Sequence, residues 1–243
     1  MSCRDSQVAS NPLTMQIGGY TLYLAAQNFH YTCIMVNIDQ PYRENPLLRL
    51  SYNLIAPLYD LAIESPLLKA RISSLRALPV DVSGKVLLNG AGTGLDLPLL
   101  PSMHHYTALD FNTAMLSRAR PRSTGLQMDY VLGDSMALPF ADAHFDHAVL
   151  HLILAVVPQP AQCLRETART IKPGGTIIIL DKFLRPQQHA WLRRALNPLS
   201  RRIATRMDVV FEEVLREVPG LQTVSDVPLL AGGWFRGIVL RKD

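Results

Sequence analysis

The passage Lys85 to Gly94, KVLLNGAGTG, constrains the fold most, because a short run with an apolar centre ends in glycines at positions 90, 92 and 94. A run this short without polar alternation suits a strand buried on both faces. The glycines remove side chains where a strand must turn into a helix, and they let the backbone N–H groups come close to a ligand. The pattern then recurs. Tyr106 to Asp110 (YTALD), Tyr130 to Leu132, Ala148 to Leu154 and Thr176 to Leu180 (TIIIL) read as further strands. Between them, Asn112 to Arg120 and Ala161 to Ile171 carry apolar residues at helical spacing, and Pro173-Gly174-Gly175 is expected to stop the second of these. Repeated βα units predict an α/β fold with a mostly parallel sheet and right-handed crossovers.

The end of the chain breaks this alternation. After a helix expected to start near Asp208, the runs Gln222 to Pro228 and Trp234 to Arg241 flank Gly232-Gly233, which predicts a hairpin and an antiparallel last strand. Before Gly84, Asn45 to Asp60 and Pro66 to Leu78 read as helices. The first 40 residues fit no part of the series, so the expected organisation is an N-terminal extension, 1–40, ahead of a single domain, 41–243. Within it, residues 1 to 34 show no periodicity and are expected to lie outside the fold, with Met35 as an alternative start. No compact apolar signal core is visible there.

At 48% hydrophobic and 18% charged residues the chain lies far from disordered compositions. Cys3, Cys33 and Cys163 are too far apart for a CxxC pair, which excludes zinc ribbons and dithiol redox motifs and fits a reducing compartment. The best uninterrupted apolar stretch, Ala148 to Val157, is too short to span a bilayer and contains His151. The net charge of +4 is unevenly spread, since Lys182 to Met207 holds Lys182, Arg185, Arg193, Arg194, Arg201, Arg202 and Arg206 and no acid. Trp191, Leu192, Ala195, Leu196 and Leu199 interleave with these charges. Such a segment suits an anionic membrane surface, with an ordinary solvated helix as the alternative. No nucleic-acid recognition motif accompanies the charge, so no nucleic acid is expected. The expected location is cytoplasmic, peripheral to the inner membrane.

Three features fall at the carboxyl ends of successive strands, where open α/β sheets bind ligands. The glycine turn is the first, although such turns often serve only the backbone. The second is Asp110, twenty positions after Gly90, whose carboxylate could accept both hydroxyl hydrogens of a ribose or could cap the next helix. Gly133-Asp134-Ser135 is the third, placing a carboxylate where an adenine amino group could donate, or simply forming a local turn. The dinucleotide fingerprint G-x-G-x-x-G fails because position 95 is Leu95.

The stretches VLLNGAGTGLDLPLLP, YTALDFNTAMLSRAR, GDSMALPFADAHFDHAVL and LRETARTIKPGG, preceded by Tyr52 to Asp60 (YNLIAPLYD), resemble class I S-adenosylmethionine (SAM) dependent methyltransferases of the UbiE and phospholipid N-methyltransferase type. The resemblance implies a Rossmann-like, seven-stranded, mostly parallel sheet with the last strand antiparallel. It also implies SAM contacts through Tyr52, Tyr59, Asn89, Gly90, Ala91, Gly92, Gly94, Asp110, Phe111, Met115, Asp134 and Ser135. The substrate it implies is a membrane quinone or a lipid.

The chain departs from that group at one position. An acidic residue normally stands two places before the first glycine, and Leu88 occupies that place here, followed by Asn89. This altered turn, with DLPLLP, LHLILAVVP and LDKFLRP, resembles the rhodoquinone biosynthesis family. That resemblance implies conversion of ubiquinone to rhodoquinone, a ring methoxy group being replaced by an amino group, with SAM as nitrogen source and manganese assisting. Loss of a carboxylate beside the SAM amine lowers the amine's pKa and frees its lone pair. Leu88 and His151 are therefore the candidate catalytic positions, and His151, Asp110 and Asp181 the candidate metal ligands, although a lone histidine in an apolar strand is more often a core residue. A conventional methyltransferase and a non-catalytic assembly protein of the same fold remain alternatives.

Overall fold

The structure is a computed structural model that describes residues 67–184 and 209–243 in full, and the backbone of 14–17, 20–27 and 30–37. The expected helix Asn45 to Asp60, with Tyr52 and Tyr59, and residues 185–208 of the basic segment lie outside the described residues. Two compact units divide between Glu44 and Asn45.

The first unit contains β1 (Thr14–Ile17), β2 (Tyr20–Gln27) and β3 (His30–Asn37), which form a three-stranded antiparallel sheet in chain order. No element is expected there from sequence, so these strands are an addition. Met35 falls inside β3, opposite Leu22, so a chain begun there would lack most of that strand.

In the second unit seven strands form one sheet, β6-β5-β4-β7-β8-β10-β9. They are β4 (Lys85–Asn89), β5 (His105–Asp110), β6 (Gln127–Leu132), β7 (Phe145–His151), β8 (Ile171–Lys182), β9 (Leu221–Leu230) and β10 (Phe235–Lys242). β4 to β8 pair in parallel, and β10 runs antiparallel to both β8 and β9, so the last strand alone is reversed, as the resemblance implies. The described α-helices are α1 (67–75), α2 (Thr113–Ala119), α3 (Pro160–Thr170) and α4 (Phe211–Arg216).

β4 lies at the centre because both of its faces are apolar. Val86 and Leu88 pack against Leu75, Leu78, Leu97, Tyr106, Ala119 and Val149 on one face. Leu87 points to the other face and is fully buried, as are Leu109, Leu150, Leu164 and Ile177. Each such side chain contributes about 1.5–3 kcal/mol through burial.

Several boundaries differ from the sequence reading; β6 and β7 each begin three residues earlier than read, at Gln127 and Phe145. β7 ends at His151, not Leu154, because Leu152 adopts φ 60° and the following apolar residues fold into a buried turn. Val156 N–H donates to Ile153 O at 3.0 Å there, and Asp181 Oδ2 accepts from Ala155 N at 3.0 Å. β8 begins at Ile171, opposite Phe145, and Pro173-Gly174-Gly175 forms an irregularity inside the strand. Only glycine suits position 175, where a Cβ would lie 2.5 Å from Asp146 O. α3 has already stopped at Thr170, and Lys242 Nζ donates to Ala168 O and Ile171 O, at 2.8 and 2.7 Å, across its C-terminal end. α4 begins at Phe211, three residues later than expected.

Arg236 of β10, 2% exposed, fastens the hairpin to α4. Its Nε donates to Asp226 Oδ1 at 3.0 Å, and Nη2 reaches Glu212 Oε1 at 2.7 Å as well as Asp226 Oδ2.

Candidate functional site

Strand order reverses between β4 and β7, with β5 and β6 on one side and β7 and β8 on the other. A crevice outside the carboxyl ends of the strands is expected at such a reversal. The turn after β4 borders it. Gly90, Gly92 and Gly94 have φ of 77°, 55° and 77°, which L side chains rarely adopt. Gly90 and Ala91 N–H both donate to Leu109 O at 2.9 Å, binding the turn to β5. The three glycines then serve different ends. A Cβ on Gly90 would lie 2.7 Å from Ile153 Cδ1, and one on Gly94 would lie 2.8 Å from Ala119 Cβ on α2. These two allow close packing. A Cβ on Gly92 would meet no described residue within 4 Å, which leaves room for a ligand to approach the backbone.

Asp110 ends β5 and is 6% exposed. Its Oδ2 accepts from Gly92 N at 2.8 Å and its Oδ1 from Asn112 N at 2.9 Å. Helix α2 is capped by Asn112, whose Oδ1 accepts from Ala114 N at 2.8 Å, so the capping role considered for Asp110 belongs to its neighbour. Burial raises the Asp110 pKa above the ordinary carboxylate range, and hydrogen bonds from Asn112, Gly92 and Phe111 N–H only partly offset this. Each carboxylate oxygen keeps a lone pair for a further donor. Phe111 follows, 42% exposed, and Met115 is buried in α2. Asp134 is exposed and forms the local turn, its Oδ1 accepting from Met136 N at 2.8 Å, while Ser135 is buried. The glycine turn, Asp110, Phe111 and the Asp134-Ser135 turn thus share the ends of the adjacent strands β4, β5 and β6.

Asn89 does not join them through its side chain. Its Nδ2 donates to Thr167 Oγ1 at 3.0 Å and approaches Cys163 Sγ at 3.7 Å, both on α3, and its buried Oδ1 has no partner. Leu88 lies on the opposite face, 4% exposed in the apolar cluster.

The candidate metal ligands are committed elsewhere. His151, with a side chain 2% exposed, places Nδ1 2.9 Å from Asp96 Oδ1 and Nε2 3.1 Å from Ser74 Oγ. A ring with both nitrogens engaged has none to offer a metal. Asp181 is buried and accepts from Ala155 and Lys182 N–H, and Asp110 ends β5, which β4 separates from β7 and its His151. Among the described residues no three His, Cys, Asp or Glu side chains converge on one point. The described residues therefore do not fit a manganese ion, whereas the open cradle at Gly92 and the Asp110 carboxylate fit an adenosyl cofactor.

Two residues absent from the sequence reading stand at this edge, Asp96 and Arg71, whose Nη1 donates to Asp96 Oδ1 at 2.7 Å. The available signal was an acid within Leu95 to Leu100, LDLPLL, directly after the glycine turn.

A parallel sheet with one reversed strand and a glycine cradle beside a buried acid defines a Rossmann-like, SAM-binding class of protein. The methyltransferase domain family matches residues 87–179. A phosphatidylethanolamine N-methyltransferase of Cereibacter sphaeroides is 33% identical over 157 residues, covering 63% of this chain and 77% of that protein. A demethylmenaquinone methyltransferase of Paenarthrobacter aurescens is 33% identical over 153 residues, covering 59% of each. Among solved structures, a Haloferax volcanii complex of the Trm112 methyltransferase activator with a methyltransferase superposes with a TM-score of 0.65 at 19% identity, over 80% of this chain and 97% of that one. The chain belongs to the class I SAM-dependent methyltransferase family.

Proposed function

We propose that the protein transfers a group from SAM to a membrane quinone, and that the group is an amino nitrogen replacing a ring methoxy group, as in conversion of ubiquinone to rhodoquinone. The observation that carries this reading is Leu88, an apolar side chain packed into the core at the position where the resemblance implies an acid. An ammonium has no lone pair with which to attack a ring carbon, and a site without an uncompensated carboxylate favours the neutral amine. The chain's own residues would cradle the cofactor backbone at Gly92, take the ribose at Asp110 and offer Phe111 beside it. Quinone-ring substrates are supported by the demethylmenaquinone relative. The acid-free basic segment would bring the enzyme to the anionic cytoplasmic face of the membrane where such a substrate resides.

Incubation of the purified protein with SAM and ubiquinone, followed by product mass, tests the proposal. Exchange of methoxy for amino supports it. Methyl transfer to a phospholipid amine supports the second reading, which the phosphatidylethanolamine relative favours. Silence across quinones and lipids would leave a non-catalytic protein of this fold.

A further inference from the structure

Four side chains from three separate segments form one linked group at the β4–β7 edge. Arg71 and Ser74 come from α1, Asp96 from the turn beyond Gly94, and His151 from the end of β7. Arg71 Nη1 and His151 Nδ1 both converge on a single oxygen, Asp96 Oδ1, at 2.7 and 2.9 Å, and Ser74 Oγ holds the far side of the ring at 3.1 Å. Asp96 Oδ2 receives no hydrogen bond from any described residue, and the side chain is 15% exposed. Among the described residues the carboxylate is thus held by one oxygen, and the other keeps its capacity to accept.

Its place is set by the sheet. Leu88 pairs with Val149 in the parallel register, and continuing that register puts Gly90 level with His151. Asp96, bonded to His151, therefore stands beside the glycine turn at the point where strand order reverses. Leu97 N–H donates to Gly94 O at 3.1 Å, which keeps Asp96 within one tight turn of the third glycine.

We infer that Asp96 Oδ2 accepts a hydrogen bond from the α-amino group of bound SAM. This rests on the SAM reading and is independent of which group is transferred. The Arg71 guanidinium, 2.7 Å from the other oxygen, favours the ionised form over the neutral acid that burial alone would favour, so Oδ2 acts as an acceptor. Its charge is balanced by Arg71. A paired carboxylate orients the amine through a hydrogen bond without adding the net negative charge that would lock it as ammonium.

Calorimetry with S-adenosylhomocysteine and its analogue lacking the α-amino group tests the assignment without turnover. Wild-type protein should bind the amino compound about 10- to 100-fold more tightly. Asp96→Asn should lose that preference while holding the deaminated analogue as before. Equal binding of the two compounds by wild type overturns the inference, and so does an Asp96→Asn variant that keeps the preference or weakens both compounds alike. Failure of wild type to bind either compound would instead refute the SAM reading and the inference with it. Absence of amination in the product assay affects neither measurement.

Discussion

At Asp110 the physical demands are opposed: burial penalises the charge, while Gly92 and Asn112 N–H groups hold it in place. Such an acid is retained where a further donor repays its desolvation. Asp110→Ala should weaken SAM binding by about 1.5–3 kcal/mol, as for hydrogen bonds to charged groups. Unchanged affinity by calorimetry would reduce Asp110 to a clasp on the glycine turn. Leu88→Glu gives the opposing test, since an uncompensated carboxylate favours the ammonium form. SAM should then bind at least as tightly while amination falls about tenfold or more. A general packing defect would lower both, and amination at the wild-type rate with intact folding would break the link between Leu88 and nitrogen transfer. Asp110 and Leu88 were legible in sequence because each occupies a fixed offset from the glycines. The grip of Arg71 and Ser74 on Asp96 and His151 was not, because it joins segments 25 and 77 positions apart that only the sheet brings together.

The elements read best from sequence are those whose pattern allows one environment. β4 and β5 were placed to within a residue because both faces are buried, and the closing hairpin because Gly232-Gly233 interrupts two strand-like runs. The end of β7 was overrun because residues 153–155 are as buried in a turn as they would be in a strand, so hydrophobicity carries no boundary there. Pro173-Gly174-Gly175, expected to stop the helix before it, lies instead inside β8, the helix having ended at Thr170. The hairpin depends on more than its ladder. Arg236 is buried against Asp226 and Glu212, whose side chains are each about a third exposed. Arg236→Met should cost about 1–3 kcal/mol in urea titrations, less than a fully buried pair because both acids stay solvated. A loss under 0.5 kcal/mol would show that the ladder suffices without the arginine.

At the scale of the whole molecule, no described helix is long and apolar enough to cross a membrane. The basic segment is the proposed contact, each cation near an anionic surface contributing about 1 kcal/mol. Changing Arg193, Arg194, Arg201 and Arg202 to Glu should abolish sedimentation with phosphatidylserine-containing vesicles while SAM binding stays the same. Equal sedimentation of both proteins would count against the surface role. The order of the sheet bears on how the chain is made. β10 is inserted between β8 and β9, both synthesised earlier, and among the described strands β9 pairs with β10 alone. During synthesis the five parallel strands and the glycine cradle can form while β9 waits unpaired and β8 shows an open edge to other nascent chains. The eight-residue strand Phe235–Lys242 closes both at once, so whichever strand reaches β8 first, its own β10 or one from a neighbouring chain, decides whether the sheet is completed within the molecule.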